Sequence, residues 1–316
     1  MPERDVAGIT DSTHSNPMTR RSPPVRGIAA VPWEGPVLRR YLALGAVALA
    51  VLPGAAQAQT KLEARYAVTL AGIPLGAGTW VIDIAADQYT AVASGRTTGL
   101  VKLVSNGSGT TGSKGTLQGA SVVSSGYVAS MISDKKADEV RMTMGGGAVK
   151  TYVAVPPLEP SPERVPLTEA HRKGVVDPMS AGLMPVAGKG ELVTPEACKR
   201  KLAIFDGRTR VDIDLVYKRM DHVKADKGYQ GPVVVCQVLY RPIAGHRPER
   251  PAIKYLVEQR DMEMWLAPIE GTRVLVPFRF SVPTPFGMGV LQANYFVANP
   301  LPTQALRQTP TSAKTQ

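Results

Sequence analysis

The sequence of 316 residues contains few of the residues from which catalytic and metal sites are usually built. It has only two cysteines and four histidines. No histidine adjoins a cysteine or lies four residues from another histidine, so the spacing of a zinc site is absent. Neither a Cys-x-x-Cys pair nor a Gly-x-Ser-x-Gly nucleophile motif occurs. The sequence therefore predicts no catalytic residue, metal ligand or cofactor. It predicts exposed loop positions for His171, His222 and His246, while His14 lies in the N-terminal region that is expected to be removed.

Runs of like charge are also absent, although the formal net charge is +11. Lysine and arginine are scattered, and no run reaches the five or six residues that mark a nucleic-acid tail. The sequence therefore predicts no nucleic-acid partner. Two interpretations of the positive charge remain open: a solvated surface, or attraction to an anionic lipid, lipopolysaccharide or acidic partner.

One glycine motif is present without the context that would give it a function. Residues 107–112 have the Gly-x-Gly-x-x-Gly spacing of a dinucleotide-binding loop. That loop must lie between a strand and a helix, whereas the residues that follow here are typical of strands and turns. The motif therefore does not predict a nucleotide site.

The longest apolar run is too short and too broken for a comfortable membrane span. Residues 41–56 carry no charge, follow Arg39-Arg40 and contain Pro53-Gly54. Their last residue begins the sequence Ala56-Gln57-Ala58. This order of basic, apolar and small residues predicts a signal peptide that is cleaved after Ala58, which leaves Gln59 first. A retained anchor is the alternative. The export route, general or twin-arginine, stays open.

The region before the signal peptide is polar and proline-rich. Residues 1–38 show no helix or strand pattern, and we expect translation to begin at Met18 or later. An exported chain with this signal is expected in the periplasm, peripheral to a membrane at most.

The two cysteines both follow the predicted cleavage site. An even number of cysteines in an exported chain predicts a disulfide, Cys198–Cys236, with two free thiols as the alternative.

Period-2 alternation of apolar and polar residues is the dominant pattern, as at Leu62, Ala64 and Tyr66. Thirty glycines and 27 prolines add many turns. The pattern predicts about ten strands and a mainly β fold: one large curved antiparallel sheet, or an open or spiral β-barrel, with one or two short helices. We expect a single domain over residues 59–300, a disordered tail over 301–316, and short helices at 177–184 and near Leu100–Val104.

Aromatic residues make up only 6% of the chain, so few are free to line a binding surface. One sheet with two short helices lacks cover for its whole inner face, which predicts an open concave groove. The helix at 177–184 would be a partial lid, and the aromatic residues expected near the groove are Tyr66, Trp80, Phe278 and Phe280. The alternative is that these four residues fill a closed core.

Asp206-Gly207-Arg208 is predicted to be a structural hairpin turn. This turn belongs to a set of recognisable segments: residues 66–72 with Gly76, 176–181, 205–208, 236–240 and 242–248. Together they resemble a bacterial family of exported proteins, domain of unknown function 3108 (DUF3108), over about residues 60–298. That family has no known activity, so the resemblance implies a location rather than a chemistry. A looser similarity to envelope-integrity proteins with a spiral β fold and to lipoprotein carriers implies the same fold class.

Two hypotheses for the function follow. The first is a non-enzymatic envelope protein that binds a lipid, a lipoprotein or another envelope protein in a concave groove and supports envelope integrity. The second is an envelope-modifying hydrolase or transferase whose site is not visible in the sequence. A cavity lined by apolar side chains with few polar groups would favour the first, and converging carboxylates or histidines would favour the second.

Overall fold

The structure, a computed structural model, describes residues 59–99, 106–134 and 136–301. The predicted signal peptide, the helix near Leu100–Val104 and the tail lie outside these residues, apart from Leu301. The described part holds fifteen strands: β1 (Gln59–Leu70), β2 (Ile73–Ala85), β3 (Gln88–Thr97), β4 (Gly107–Gln118), β5 (Ser121–Ser133), β6 (Lys136–Gly145), β7 (Ala148–Val155), β8 (Met184–Pro185), β9 (Arg200–Phe205), β10 (Arg210–Lys224), β11 (Lys227–Gly228), β12 (Gln230–Ala244), β13 (Glu263–Pro268), β14 (Val274–Thr284) and β15 (Gly287–Leu301).

The strands form one open sheet, almost wholly antiparallel, which confirms the predicted fold class. Its order is β7-β6-β5-β4-β3-β2-β1-β15-β14-β13-β12-β10-β9, with β8 paired to β14 and β11 paired to β15. Among the described strands, the two at the ends of this order, β7 and β9, do not pair with each other, so the sheet is not closed. Two short helices accompany it, α1 (Pro178–Ala181) and α2 (Pro251–Glu258), and no described helix is long and apolar enough to span a membrane.

The sheet buries its inner face against itself. The largest core cluster joins residues of the first three strands to residues of the last strands, including Leu62, Ile82, Phe278 and Phe296. A separate cluster joins β5–β7 to Phe205 of β9. The sheet therefore curls until its two halves share a core, which is how an amphipathic sheet covers its apolar face without many helices.

The C-terminal half is buried on both faces. Val233 and Val235 face the large core, while Val234 and Cys236 face a second cluster on the other side of β12. Cys236 forms the predicted disulfide with Cys198, with the two Cα atoms 5.4 Å apart. The disulfide ties the short 3-10 turn Pro195–Cys198 to β12.

A glycine fixes the approach of β11 to β15. Gly228 has φ of +101°, and a Cβ atom built there would lie 2.0 Å from the carbonyl oxygen of Phe296. We expect Gly228→Ala to lower the free energy of unfolding by about 2–3 kcal/mol, because it adds a steric clash to a backbone conformation that alanine avoids. Urea unfolding followed by circular dichroism measures this.

The matched control is Gly119→Ala, since Gly119 also has positive φ (+61°) but has no atom within 4 Å of the added Cβ. Its expected cost is about 1 kcal/mol. Equal losses in the two variants would contradict the role assigned to the contact with Phe296.

Candidate functional site

The four aromatic residues predicted to line a groove do not share an open surface. Tyr66 and Phe278 are buried in the large core, and the hydroxyl of Tyr66 donates a hydrogen bond to the carbonyl oxygen of Pro277. Burial raises the pKa of Tyr66. Trp80 packs against the same core, whereas Phe280 packs against the second cluster. Their placement fits the alternative of core filling.

The helix predicted at 177–184 is shorter and more deeply placed than a lid. Only residues Pro178–Ala181 are helical, and Ser180 and Ala181 are buried. The next residue, Gly182, lies against the ring of Trp80, where an added Cβ would be 2.7 Å from the ring edge. The segment therefore fills space inside the curled sheet.

A buried polar network holds α1 in place. The carboxylate of Asp177 accepts hydrogen bonds from the backbone N–H groups of Met179 and Ser180, both at 2.9 Å, and from the hydroxyls of Ser113 and Ser180. Ser124 donates to Ser180 at 2.9 Å, and Tyr89 also contacts the Ser180 hydroxyl. An aspartate at the N-cap satisfies N–H groups that helix geometry leaves unpaired.

In the same network Ser180, a residue type that can act as a nucleophile, lies beside the carboxylate of Asp177, but both residues are buried away from solvent. Asp177 and Ser180 are 0% exposed and Ser124 is 1% exposed. Burial is the main cause of the raised pKa of Tyr89. A group that must meet a substrate needs access, so this arrangement stabilises the fold rather than presenting a reactive hydroxyl.

A group of charged residues, distinct from the hydrophobic clusters, surrounds Trp265. The guanidinium groups of Arg219 and Arg279 lie 5.4 and 4.8 Å from its ring centroid, and its N–H donates to Asp221 at 2.9 Å. Arg219 also donates two hydrogen bonds of 2.9 Å to Glu263, which lower the pKa of that carboxyl. Arg219, Asp221 and Glu263 are paired with one another, while Arg279 donates to the amide oxygen of Gln292 at 3.1 Å, so the cluster ties β10, β13, β14 and β15 together.

Asp206, Gly207 and Arg208 form the turn between β9 and β10. The Asp206 carboxylate accepts hydrogen bonds from the N–H of Arg208 at 2.8 Å and of Thr209 at 2.6 Å. The guanidinium of Arg208 lies 3.1 Å from a carboxylate oxygen of Asp138 on β6. The turn therefore links the far strands of the two halves of the sheet.

A trough of about 610 Å³ lies on β1–β5. That volume is within the range of small-ligand sites. Most of its side chains alternate with the core-facing positions of their strands, so they project from the opposite, outer face. Cross-strand register arranges them in two rows: Arg65, Thr79, Ser94, Thr110 and Ser130 in the first, and Ala77, Arg96, Ser108 and Ile132 in the second.

The floor of the trough is bare backbone. Gly78, Gly95 and Gly109 are cross-strand neighbours between the two rows, and Tyr66 pairs with Gly78 at one end. Glycine weakens a strand interior, and in sheets it often marks a place where a ligand approaches the backbone closely.

The trough is positively charged. No aspartate or glutamate lines it, while Arg65 and Arg96 do. Arg65 is held in position by Glu63, whose carboxylate accepts hydrogen bonds of 2.9 and 2.7 Å, and by the ring of Tyr295, 4.5 Å away. The hydrogen bond to Glu63 raises the pKa of Arg65. The guanidinium of Arg96 is exposed and forms no hydrogen bond or ion pair with any described residue.

A smaller depression of about 260 Å³ adjoins the trough at Asn294. It carries Lys224 and Asp226 as well as polar residues of β1 and β15, among them Thr69 and Gln292. Elsewhere in the described ranges no three His, Cys, Asp or Glu side chains come close enough to hold a metal ion.

Sequence reasoning missed the trough because its residues are small and polar. The strand β4, Gly107–Gln118, includes the glycine motif and was expected to contain turns. The available signal was the period-2 spacing of polar residues in β3 and β4, Ser94 with Arg96 and Ser108 with Thr110. Such spacing names a face of a strand but not the neighbouring strands.

The comparisons with known proteins give one match, to a family model that spans most of the sheet. The model of the family described as "Protein of unknown function (DUF3108)" matches residues 65–293, which run from β1 into β15. No curated protein and no solved structure matches the chain.

Proposed function

The chain belongs to the DUF3108 family, which has no assigned activity, and we propose from its own geometry that it is a non-enzymatic binding protein of the bacterial envelope. The ligand is the phosphorylated headgroup of an envelope lipid, and it lies in the trough on β1–β5. One observation carries this proposal: the trough combines two arginines and five serine or threonine hydroxyls with no carboxylate among its lining residues.

The chemistry of the lining fits a phosphate that is attached to a polyol. Guanidinium groups form charge-assisted hydrogen bonds with phosphate oxygens, and they do so with a planar fork of donors. Serine and threonine hydroxyls both donate and accept, so they can bind phosphate oxygens and ligand hydroxyls alike. The guanidinium of Arg96 has no hydrogen-bond or ion-pair partner among the described residues, so no such interaction must be broken when a ligand binds.

The same lining supports binding over chemistry. Its residues include no Asp, Glu, His, Cys or Lys, so the serine and threonine hydroxyls of the trough have no general base beside them to activate one as a nucleophile. An enzyme of the envelope would need such groups within reach of the ligand. The network at Asp177 and Ser180 has them, but it is fully buried.

A location in the periplasm is part of the proposal. The predicted signal peptide directs export, and the observed disulfide is stable in an oxidising compartment. A periplasmic protein meets lipid headgroups at both membranes, and we propose that binding them supports envelope integrity.

Titration with a soluble short-chain lipid tests the site. We expect dihexanoylphosphatidylglycerol, below its micelle concentration, to bind saturably and 1:1 in isothermal titration calorimetry. Arg96→Glu replaces an attraction by a repulsion, so its Kd is expected to rise at least about tenfold. The matched control is Lys114→Glu, which makes the same charge change on the neighbouring strand β4, on the same outer face of the sheet. Lys114, like Arg96, has no ion-pair partner among the described residues.

Two comparisons make the result decisive. Dihexanoylphosphatidylcholine should bind more weakly, and inorganic phosphate should compete only at high concentration if the headgroup as a whole is recognised. Equal loss of affinity in Arg96→Glu and Lys114→Glu would show that overall charge, not the trough, controls binding. Absence of saturable binding would refute the proposed ligand.

A further inference from the structure

Two uncharged hairpin turns lie side by side at one end of the sheet. The turn between β1 and β2 and the turn between β14 and β15 are joined by a hydrogen bond of 2.9 Å from the N–H of Ala71 to the carbonyl oxygen of Met288. Gly287 packs so closely on Ala71 that an added Cβ would lie 2.8 Å from the Ala71 Cβ. We call residues 71–74 and 285–288 the apolar tip.

The apolar tip exposes large hydrophobic side chains where neither turn has a charge. Phe286 is 79% exposed, Ile73 54% and Met288 42%. No Asp, Glu, Lys, Arg or His occurs in residues 70–77 or 282–290. Exposed apolar side chains that cluster at one place mark a contact surface rather than chance.

The turn that carries Phe286 also has its backbone polar groups paired internally. The N–H of Phe286 donates to the Thr284 hydroxyl at 3.2 Å, and that hydroxyl donates to the carbonyl oxygen of Gly287 at 2.7 Å. Moving unpaired backbone groups into an apolar medium is costly, and this pairing removes much of that cost.

We infer that the apolar tip inserts into the surface of an anionic lipid bilayer. This inference rests on the proposed function, because it uses the positive charge of the trough. Ala77, the cross-strand partner of Arg96, is four residues from Ile73 along β2. At about 3.3 Å per residue that separation is about 13 Å along the strand. A tip buried about 5–10 Å therefore brings Arg96 to the level of the lipid phosphates.

Charge complementarity selects a bilayer as the occupant. Arg96 lies at the level of the headgroups, and the net charge of +11, which becomes +9 when the six Lys/Arg and four Asp/Glu of residues 1–58 are removed, favours an anionic surface. Insertion brings the end of the trough that holds Arg96 to the headgroups, so the tip delivers the binding site to its ligand. A second protein would find at the tip only a narrow pair of turns.

A tryptophan at the tip reports insertion directly. The Phe286→Trp variant is purified after the expressing cells have exported it. The fluorescence emission that the new tryptophan adds should shift to shorter wavelength when the protein is mixed with phosphatidylglycerol vesicles. Brominated acyl chains should quench that emission. Val153→Trp is the matched control, because Val153 is 59% exposed on the outer face of β7, away from the tip. Its emission should not change. The readout is local, so it does not depend on the N-terminal segment.

A charge at the same position separates this inference from the proposed function. Phe286→Asp should weaken binding to phosphatidylglycerol vesicles at least about tenfold and leave the affinity for the soluble short-chain lipid unchanged. Unchanged vesicle affinity in Phe286→Asp, or an unshifted Phe286→Trp emission, would overturn insertion even if the trough binds lipid. A change of oligomeric state in Phe286→Asp without a change in vesicle affinity would also overturn it, and would assign the tip to a protein contact.

Discussion

Asp177→Ala is expected to lower the free energy of unfolding by about 4 kcal/mol. The Asp177 carboxylate accepts four hydrogen bonds, from two backbone N–H groups of α1 and from the hydroxyls of Ser113 and Ser180. Alanine accepts none of them, and each buried donor left without a partner costs about 1–3 kcal/mol. Partial re-pairing among the hydroxyls keeps the total below the sum. Urea unfolding followed by tryptophan fluorescence measures the loss.

Two variants show which part of this cost belongs to the network. Asp177→Asn keeps an acceptor for the two N–H groups, and serine hydroxyls can rotate to accept from the new amide, so we expect about half the loss. Asp261→Ala removes an exposed carboxylate with one ion pair of 3.9 Å to Lys218, and it should cost about 0.5 kcal/mol or less. A loss at Asp177→Ala no greater than at Asp261→Ala would show that the network does not hold α1.

Local alternation predicted the fold class because each half-buried strand carries its own signal. Leu62, Ala64 and Tyr66 alternate with polar residues in β1, and all three are buried. The disulfide was predictable for a similar reason, since compartment and cysteine number decide it without any knowledge of the fold.

Irregularities of the sheet explain why the predicted groove residues separate. Phe278 and Phe280 are two residues apart, so strict alternation puts them on one face of β14. The register of β13 with β14 shifts between Trp265 and Leu266, and Phe278 is the extra residue. A bulge of this kind reverses the faces beyond it, which places Phe278 in the large core and Phe280 in the second cluster.

The trough could not be predicted from the sequence, for a different reason. Gly78, Gly95 and Gly109 become neighbours only through the pairing of three strands. A shift of one residue in either pairing would separate them, and register is weakly encoded in strands of small polar residues. The sequence could therefore indicate each strand face but not the surface that the faces form together.

Removal of the disulfide is expected to cost about 4 kcal/mol of the free energy of unfolding. Cys198 and Cys236 are 38 positions apart, and closure of a loop of that length restricts the unfolded chain by about this amount. Both residues are 0% exposed and belong to the second core cluster. The double variant Cys198→Ala/Cys236→Ala also loses part of that packing, and urea unfolding of both proteins measures the difference.

Reductant provides the internal control for this prediction. Dithiothreitol should shift the urea midpoint of the wild-type protein towards that of the double variant, and it should leave the double variant unchanged. Because both cysteines are fully buried, reduction of the folded wild-type protein should be slow without urea and should accelerate as unfolding exposes the bond. A double variant as stable as the oxidised wild type would mean that the curled sheet, through its shared core, already restricts the 38-position segment without the bond.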